Sequence, residues 1–179
     1  MIWRGLALAV LLTCSWTGPG YGENPVVGQK GGKMTAAKAI QMQPIGQVKK
    51  QGEQTFLELK PELAPALKGL EDFSHLWVLY WFHDNDRPEA RATLQVHPRR
   101  DPANPLTGVF ACRAPERPNL IGLCACRTLQ VKGNRVEVAG LDARDGTPIV
   151  DLKPYIPKGD AIPEATAPAW VKRSKPPVD

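Results

Sequence analysis

His75-Leu-Trp-Val-Leu-Tyr-Trp-Phe82 carries large apolar side chains at both odd and even positions. A strand facing water on one side alternates apolar and polar residues, so this run predicts a strand covered on both faces, by the protein's own layers or by a subunit partner. It is the expected centre of the core. On its C-terminal side the alternation of Ala92-Thr-Leu-Gln-Val96 predicts another strand, and Val109 to Cys112 and Leu123 to Val131 predict two more. Lys132-Gly-Asn-Arg135 reads as a tight turn that folds Leu123–Val131 onto Val136–Ala139 as an antiparallel hairpin. Asp142-Ala-Arg-Asp-Gly-Thr147 is a loop with an Asp-Gly turn, and Ile149 to Leu152 is the last strand.

On the N-terminal side, Ile45–Val48 and Thr55–Leu59 read as strands, the second placing Thr55, Leu57 and Leu59 on one face. Pro61-Glu-Leu-Ala-Pro-Ala-Leu-Lys68 reads as one brief helix, opened by Pro61, kept short by Pro65 and stopped at Gly69. Many short strands with one short helix predict an all-β protein, a small closed β barrel. No glycine-rich turn leads from a strand into a helix, which disfavours a Rossmann-type enzyme.

The 179 residues, 42% of them hydrophobic, suffice for one ordinary domain. Residues 1–22 read as an export signal: Arg4 precedes the apolar run Gly5-Leu-Ala-Leu-Ala-Val-Leu-Leu-Thr13, which is too short to span a bilayer, and small residues end at Gly20-Tyr21-Gly22. Leu11-Leu12-Thr13-Cys14 approximates a lipobox, which makes Cys14 a candidate lipid anchor that Thr13 disfavours. The expected localisation is therefore exported, periplasmic or membrane-anchored, and cytoplasmic if the signal is not functional. Residues 23–43 read as a linker, 44–157 as the barrel, and 158–179 as a Pro-rich flexible tail. In that tail Trp170, beside Lys172 and Arg173, suits either a nucleic-acid or membrane contact or an anchor on the barrel.

Between Arg87 and Arg135 stand nine basic residues and three acidic ones, the pattern of a solvated face or of a phosphate or nucleic-acid footprint. Outside the signal the cysteines are Cys112, Cys124 and Cys126, an odd number that argues against a complete disulfide framework. Cys124 and Cys126 share one face of a strand, where a bridge between them would be strained; a bridge from Cys112 to one of them stays open beside the reading as buried small residues. His75, His83 and His97 are scattered, and no Cys/His spacing matches a zinc site, so no metal is expected.

Gly108-Val-Phe-Ala-Cys-Arg-Ala-Pro-Glu-Arg-Pro-Asn-Leu-Ile-Gly-Leu123 is the segment most like a site. Arg113 and Arg117 offer guanidinium forks, Pro115 and Pro118 stiffen their backbone, and Gly122 permits close approach, as suits an anionic or planar ligand.

Four blocks occur in order: Leu70-Glu-Asp-Phe-Ser-His-Leu-Trp77 leading to Trp81-Phe-His83; Gly108-Val-Phe-Ala-Cys-Arg113; Arg117-Pro-Asn-Leu-Ile-Gly122; and Gly140-Leu-Asp-Ala-Arg-Asp-Gly-Thr-Pro148 with Asp151-Leu-Lys-Pro-Tyr155. In these the chain resembles the TsaA-like (TrmO-type) family from about Pro44 to Pro157. The resemblance implies a small TsaA-like β barrel that binds S-adenosyl-L-methionine as a homodimer. It implies methyl transfer to N6 of threonylcarbamoyladenosine in tRNA, and tRNA as partner if the chain is cytoplasmic. The implied cofactor contacts fall on His83, Asp84, Arg113, Leu123, Ala139, Gly140, Leu141 and Asp142; Arg117 and Asn119 are implied for the substrate. The chemistry suits them, since an arginine can grip the methionine carboxylate, an acid can face the sulfonium or ribose, and amides beside Gly140 can read an adenine edge. Structural roles stand beside these: His83 as a strand cap, Asp142 in an Asx turn, Arg113 paired with Glu116 or Asp145. No catalytic base is assigned. Three departures from the family pattern are visible: Gln47-Val-Lys-Lys-Gln-Gly-Glu-Gln54 lacks the family's Pro-Arg-Gln segment, Cys112 replaces a usual threonine, and Leu120 a usual proline. With the export signal, they keep open an alternative: an exported non-enzymatic ligand-binding or interaction module that retains the barrel without methyl transfer.

Overall fold

The structure, a computed structural model, describes residues 40–172; the export signal, Cys14, most of the linker and the last residues of the tail lie outside the described residues. Eight strands form: β1 (Gly46–Gln51), β2 (Gln54–Leu59), β3 (His75–Trp81), β4 (Gln95–Val96), β5 (Thr107–Gly108), β6 (Ile121–Lys132), β7 (Arg135–Ala139) and β8 (Pro148–Pro154). Six of them close an antiparallel barrel in the order β1-β2-β7-β6-β3-β8, while β4 and β5 form a separate two-stranded ribbon. The all-β closed barrel expected from the sequence is the observed architecture.

The register of β3 against β6, from His75 opposite Arg127 to Trp81 opposite Ile121, decides which residues face inward. Leu76, Val78 and Tyr80 point into the barrel with Cys126, and meet Val48, Leu57, Val136, Val138 and Ile149 in the core. Each such aliphatic side chain contributes about 1.5–3 kcal/mol by leaving water. Gly122 lies opposite Tyr80, and a Cβ there would sit within the Tyr80 ring. Gly122→Ala should therefore cost about 1–3 kcal/mol in urea unfolding through overpacking. Loss of that cost in the Tyr80→Ala background, with Gly122→Ala/Tyr80→Ala as stable as Tyr80→Ala alone, would confirm the clash; strict additivity would refute it.

The second face of β3 is covered by the chain itself. Trp77 packs on Tyr155 with ring centroids 5.5 Å apart and its Nε1 donates to Asp160 Oδ2 at 3.2 Å. Trp81 Nε1 donates to Asp86 Oδ2 at 3.0 Å, and the Arg91 guanidinium lies 5.3 Å from the Trp81 ring centroid. Both indole nitrogens thus find acceptors while the rings stay half-buried.

Local departures from the sequence reading have identifiable causes. Residues 61–67 wind as a 3₁₀ rather than an α-helix, with Pro65 inside removing a donor, and Gly69 ends the segment with φ 87°. The strand expected at Ala92–Val96 shrinks to β4, because Pro88 starts a helical turn, α1 (Pro88–Ala92), whose end is tied by Thr93 Oγ1 donating to Glu89 O at 2.8 Å. Val109–Cys112 is likewise no strand: Val109–Ala111 forms a 3₁₀ turn. Its carbonyls at Val109 and Cys112 accept from Arg117 Nη2 at 3.1 and 2.8 Å instead of entering a ladder. A second short helix, α2 (Pro157–Asp160), follows β8, where Asp160 Oδ2 also accepts from Ile156 N at 2.8 Å. Beyond it Trp170 is half-buried, and Val171 O accepts from Arg99 Nη2 at 3.1 Å.

Two hairpins bear on the site. The Lys132–Arg135 turn pairs β6 with β7 as expected, Gly133 taking φ 61°. Gln51 pairs with Gln54 across a two-residue turn with Gly52 at φ 59°. The segment from Gln47 to Gln54 is thereby consumed by ladder and turn, with no chain left over for the missing Pro-Arg-Gln stretch. The cysteines Cys112, Cys124 and Cys126 are free thiols, Cys126 buried, so the bridge from Cys112 left open by the sequence is not formed.

Candidate functional site

One end of the barrel gathers acidic, basic and aromatic groups from three loops. After β3, Phe82 N bonds Leu120 O at 2.8 Å and the chain turns through His83–Asn85. After β7, Gly140 takes φ 85°, a left-handed conformation suited to glycine, and swings the chain inward. Leu141 and Ala143 then drop into the core at 7% and 4% exposure, which leaves Asp142 and Arg144 directed outward at the mouth. The third contributor is the turn at Arg99 and Arg100, both with positive φ (61° and 56°), a strained conformation for side chains with a Cβ.

These elements enclose a cavity of about 190 Å³ lined by Tyr80, His83, Asp84, Arg100, Asp142 and Arg144 among others. Tyr80 Oη donates to Asp142 Oδ1 at 2.8 Å. Asp84 is held from two sides, by His83 Nε2 at 3.3 Å and Arg144 Nη1 at 2.8 Å. Arg100 Nη2 reaches Glu116 Oε1 at 3.2 Å, and Asn85 Nδ2 donates to the same oxygen at 3.4 Å, which ties the 112–118 loop to the mouth. Arg91 reinforces that tie: it bonds Asp86 at 2.8 Å and Pro118 O at 3.1 Å. The hydrogen bonds from Trp81 and then Arg91 hold the Asp86 carboxyl below its usual pKa.

Burial, followed by the hydrogen bond to Asp142, pushes the Tyr80 pKa well above its ordinary value. A tyrosine with a raised folded-state pKa contributes stability that is complete below its unfolded pKa of about 10 and is lost as pH rises beyond it. Unfolding free energy should fall more steeply above about pH 10 in wild type than in Tyr80→Phe; parallel pH curves would show that Tyr80 carries no such linkage.

The sequence-derived site residues divide. His83, Asp84 and Asp142 come together on this cavity. Gly140 and Leu141 shape the loop that delivers Asp142, and Ala139 ends β7. Leu123 lies on the outer face of β6, 41% exposed, away from the cavity lining. Arg113 is exposed and does not line the cavity, while Pro115 from its loop does. The structural pairings considered for Arg113 are otherwise engaged, Glu116 with Arg100 and Asn85, Asp145 with Lys50 N at 2.8 Å. Arg117 spends its donors on Ala114, Val109 and Cys112 carbonyls, so it braces its own loop. Asn119 is exposed. Asp142 accepts from Tyr80, a long-range contact in place of the Asx turn.

Tyr80, Arg100 and Arg144 are cavity residues that the sequence reading did not single out. Tyr80 had a partial signal, a hydroxyl within an otherwise apolar strand, but not the parity that turns it inward. The two arginines had none, since loop geometry alone brings them here. A larger cavity of about 520 Å³, lined by Gly46, Gln47, Glu58, Lys60, Asn134 and Pro148 among others, lacks this convergence of paired carboxylates and guanidinium groups.

Fold and site together define a closed antiparallel β-barrel domain with a charged cavity at its mouth. The sequence pattern of the tRNA-methyltransferase O N-terminal domain matches residues 34–161, and the chain belongs to that family. A relative from Pyrococcus horikoshii, named "Probable S-adenosyl-L-methionine-binding protein PH1056", is 38% identical over 127 residues, covering 71% of this chain and 90% of its own. The mouse tRNA (adenine(37)-N6)-methyltransferase is 46% identical over 96 residues, 54% of this chain and 22% of the enzyme. The crystal structure of TrmO from Pseudomonas aeruginosa superposes with a TM-score of 0.58 at 30% identity, covering 74% of this chain and 63% of that one. The chain thus spans less than two thirds of the TrmO chain and about a fifth of the mouse enzyme.

Proposed function

We propose that the barrel binds S-adenosyl-L-methionine and serves as a methyltransferase toward tRNA, with N6 of threonylcarbamoyladenosine as the acceptor. The observation that carries this reading is the meeting of the Gly140–Asp142 loop with His83–Asp84 on one cavity. The donor set fits the cofactor: Asp142 has one carboxylate oxygen bonded to Tyr80 and a second available for a cation, while Arg100 and Arg144 stand at the same mouth to attract a carboxylate or phosphate. Bound there, the cofactor supplies an electrophilic methyl group. The chain's own part would be to bind and align: Asp142 would offer its negative charge to the cofactor's positive centre, and Tyr80 and Phe82 would form the wall beside it. The relatives named as S-adenosyl-L-methionine-binding and tRNA-methylating proteins support both halves of the proposal.

At about 190 Å³ the cavity is smaller than the 300–1,000 Å³ typical of small-ligand sites. A second copy that covers the mouth would complete it, so a homodimer belongs to the same proposal. Titration of residues 23–179 with S-adenosyl-L-methionine tests the binding; no heat at millimolar ligand would remove the enzyme reading.

The second reading, an exported ligand-binding module without methyl transfer, is favoured by the order of charge, apolar run and small residues in 1–22 and by the tight β1–β2 turn where the family carries Pro-Arg-Gln. A reporter fused after Glu23 discriminates: accumulation outside the cytoplasm supports export, and retention inside restores tRNA as an accessible substrate.

A further inference from the structure

The β6–β7 ladder ends where Arg127 pairs with Ala139, and the chain beyond must be held by other means. Among the described residues, no backbone hydrogen bond outside the strand ladders involves residues 140–143. The loop is attached instead by two buried apolar side chains, Leu141 and Ala143, and by two side-chain hydrogen bonds from the barrel wall. One is Tyr80 Oη to Asp142 Oδ1 at 2.8 Å; the other is Cys124 Sγ donating to Gly140 O at 3.3 Å. These grip the loop at the residue where it turns and at the residue that faces the cavity.

We infer that Tyr80 and Cys124 are positioning residues, a clasp between adjacent barrel strands that sets the conformation of the Gly140–Asp142 loop and thereby aims the free oxygen of Asp142 into the cavity. The inference rests on the reading of this cavity as the cofactor site. The register makes the clasp intelligible. Tyr80 and Cys124 both face inward, and Gly122 between them in the β6 direction has no Cβ, which lets the Tyr80 ring cross β6 toward the loop. Leu141 and Ala143 fix the depth of the loop but, being non-directional contacts, leave the rotation of the intervening peptide and carboxylate unspecified. Hydrogen bonds supply that direction. Gly140, freed from a Cβ at φ 85°, otherwise has more conformational choice than any other residue of the loop, and its carbonyl is the one that Cys124 holds.

Tyr80 stays a donor, and the thiol nearest the clasp does not compete for the loop. Burial and the Asp142 charge keep Tyr80 a neutral phenol. Cys126, fully buried behind Cys124, is also held as a thiol, and its Sγ turns to Cys124 O at 3.9 Å rather than to the loop, so it cannot replace Cys124 in the clasp.

Tyr80→Phe, Cys124→Ala and Cys124→Ser separate this role from general stabilisation. In ligand-free protein, the backbone ¹⁵N order parameters of residues 140–143 should fall from the rigid range of about 0.85 toward about 0.6 in Tyr80→Phe and by about half as much in Cys124→Ala, without a matching change in β3 and β6; Cys124→Ser, which restores a donor, should return to the wild-type values. Affinity for S-adenosyl-L-methionine should fall in the same order, about tenfold for Tyr80→Phe. Loop order parameters unchanged in both Tyr80→Phe and Cys124→Ala, or a Cys124→Ser variant no better than alanine, would overturn the clasp. Wild-type protein that binds no cofactor would instead defeat the proposed function, while the order parameters still decide whether the loop is held as described.

Discussion

Asp142→Asn is expected to weaken S-adenosyl-L-methionine binding about 30-fold while changing affinity for S-adenosylhomocysteine by no more than about threefold. The side-chain oxygen that accepts from Tyr80 survives in asparagine, so the clasp and the loop are preserved. What is lost is one negative charge facing the cavity. A unit charge about 4 Å away is worth about 4 kcal/mol at an effective dielectric of about 20. Asp142 is exposed, so solvent screening reduces the figure to about 2 kcal/mol, or roughly 30-fold in affinity. S-adenosylhomocysteine has a neutral sulfur and gives the control, because it shares the remaining groups of the ligand. Calorimetric titration with both ligands reads the ratio directly. Equal losses for the two would place Asp142 at the ribose or in packing, and no loss for either would remove it from the site.

Leu76→Ala should cost about 2–5 kcal/mol of unfolding free energy, a large fraction of the 5–15 kcal/mol typical of a domain. Leu76 is fully buried opposite Cys126, with Val78 beside it on the same face. A barrel interior closed by six paired strands has little freedom to collapse into the resulting hole. Leu79→Ala is the matched control on the other face of β3, where the side chain is only half-buried, and should cost about 1 kcal/mol or less. Chemical denaturation of the two variants measures the difference. Equal costs would mean that the outer face is as tightly covered as the inner, as a subunit partner seated there would bring about; light scattering then separates monomer from dimer.

The contrast between these two leucines shows what β3 did and did not disclose. Its apolar character on both parities marked a strand with two covered faces; the inner face is buried, while the outer is covered only in part, Trp77, Leu79 and Trp81 staying half-buried. Which parity faced the barrel was not legible, because Leu76-Val78-Tyr80 and Trp77-Leu79-Trp81 are equally apolar as sequence. The parity is settled by pairing: Gly122 can stand only opposite the ring that crosses it, and that ring belongs to Tyr80. The covers of the outer face, Tyr155 with Asp160 and Asp86 with Arg91, come from outside the segments that the sequence marked as strands.

The candidate site divides along the same line. His83, Asp84 and Asp142 were reachable from the family resemblance, since His83 and Asp142 stand in recognisable blocks and Asp84 adjoins one. Arg113 and Arg117 were prominent for their chemistry, yet one is exposed beside the cavity loop and the other is consumed by three carbonyls. A sequence displays which donors exist but not which acceptors will be spent on the loop that carries them.

By itself the sequence determined the all-β class, the β6–β7 hairpin, the family and the loops that would bear charge, because these depend on local alternation, turn chemistry and motif order. Only the tertiary structure decided which six strands close the barrel and which two stand apart as a ribbon, the inward parity of Tyr80 and Cys124, and the meeting of Arg100, Arg144 and Asp84 at one mouth. Those outcomes depend on register and on contacts between residues far apart in the chain, such as Tyr80 with Asp142, and no local pattern records them.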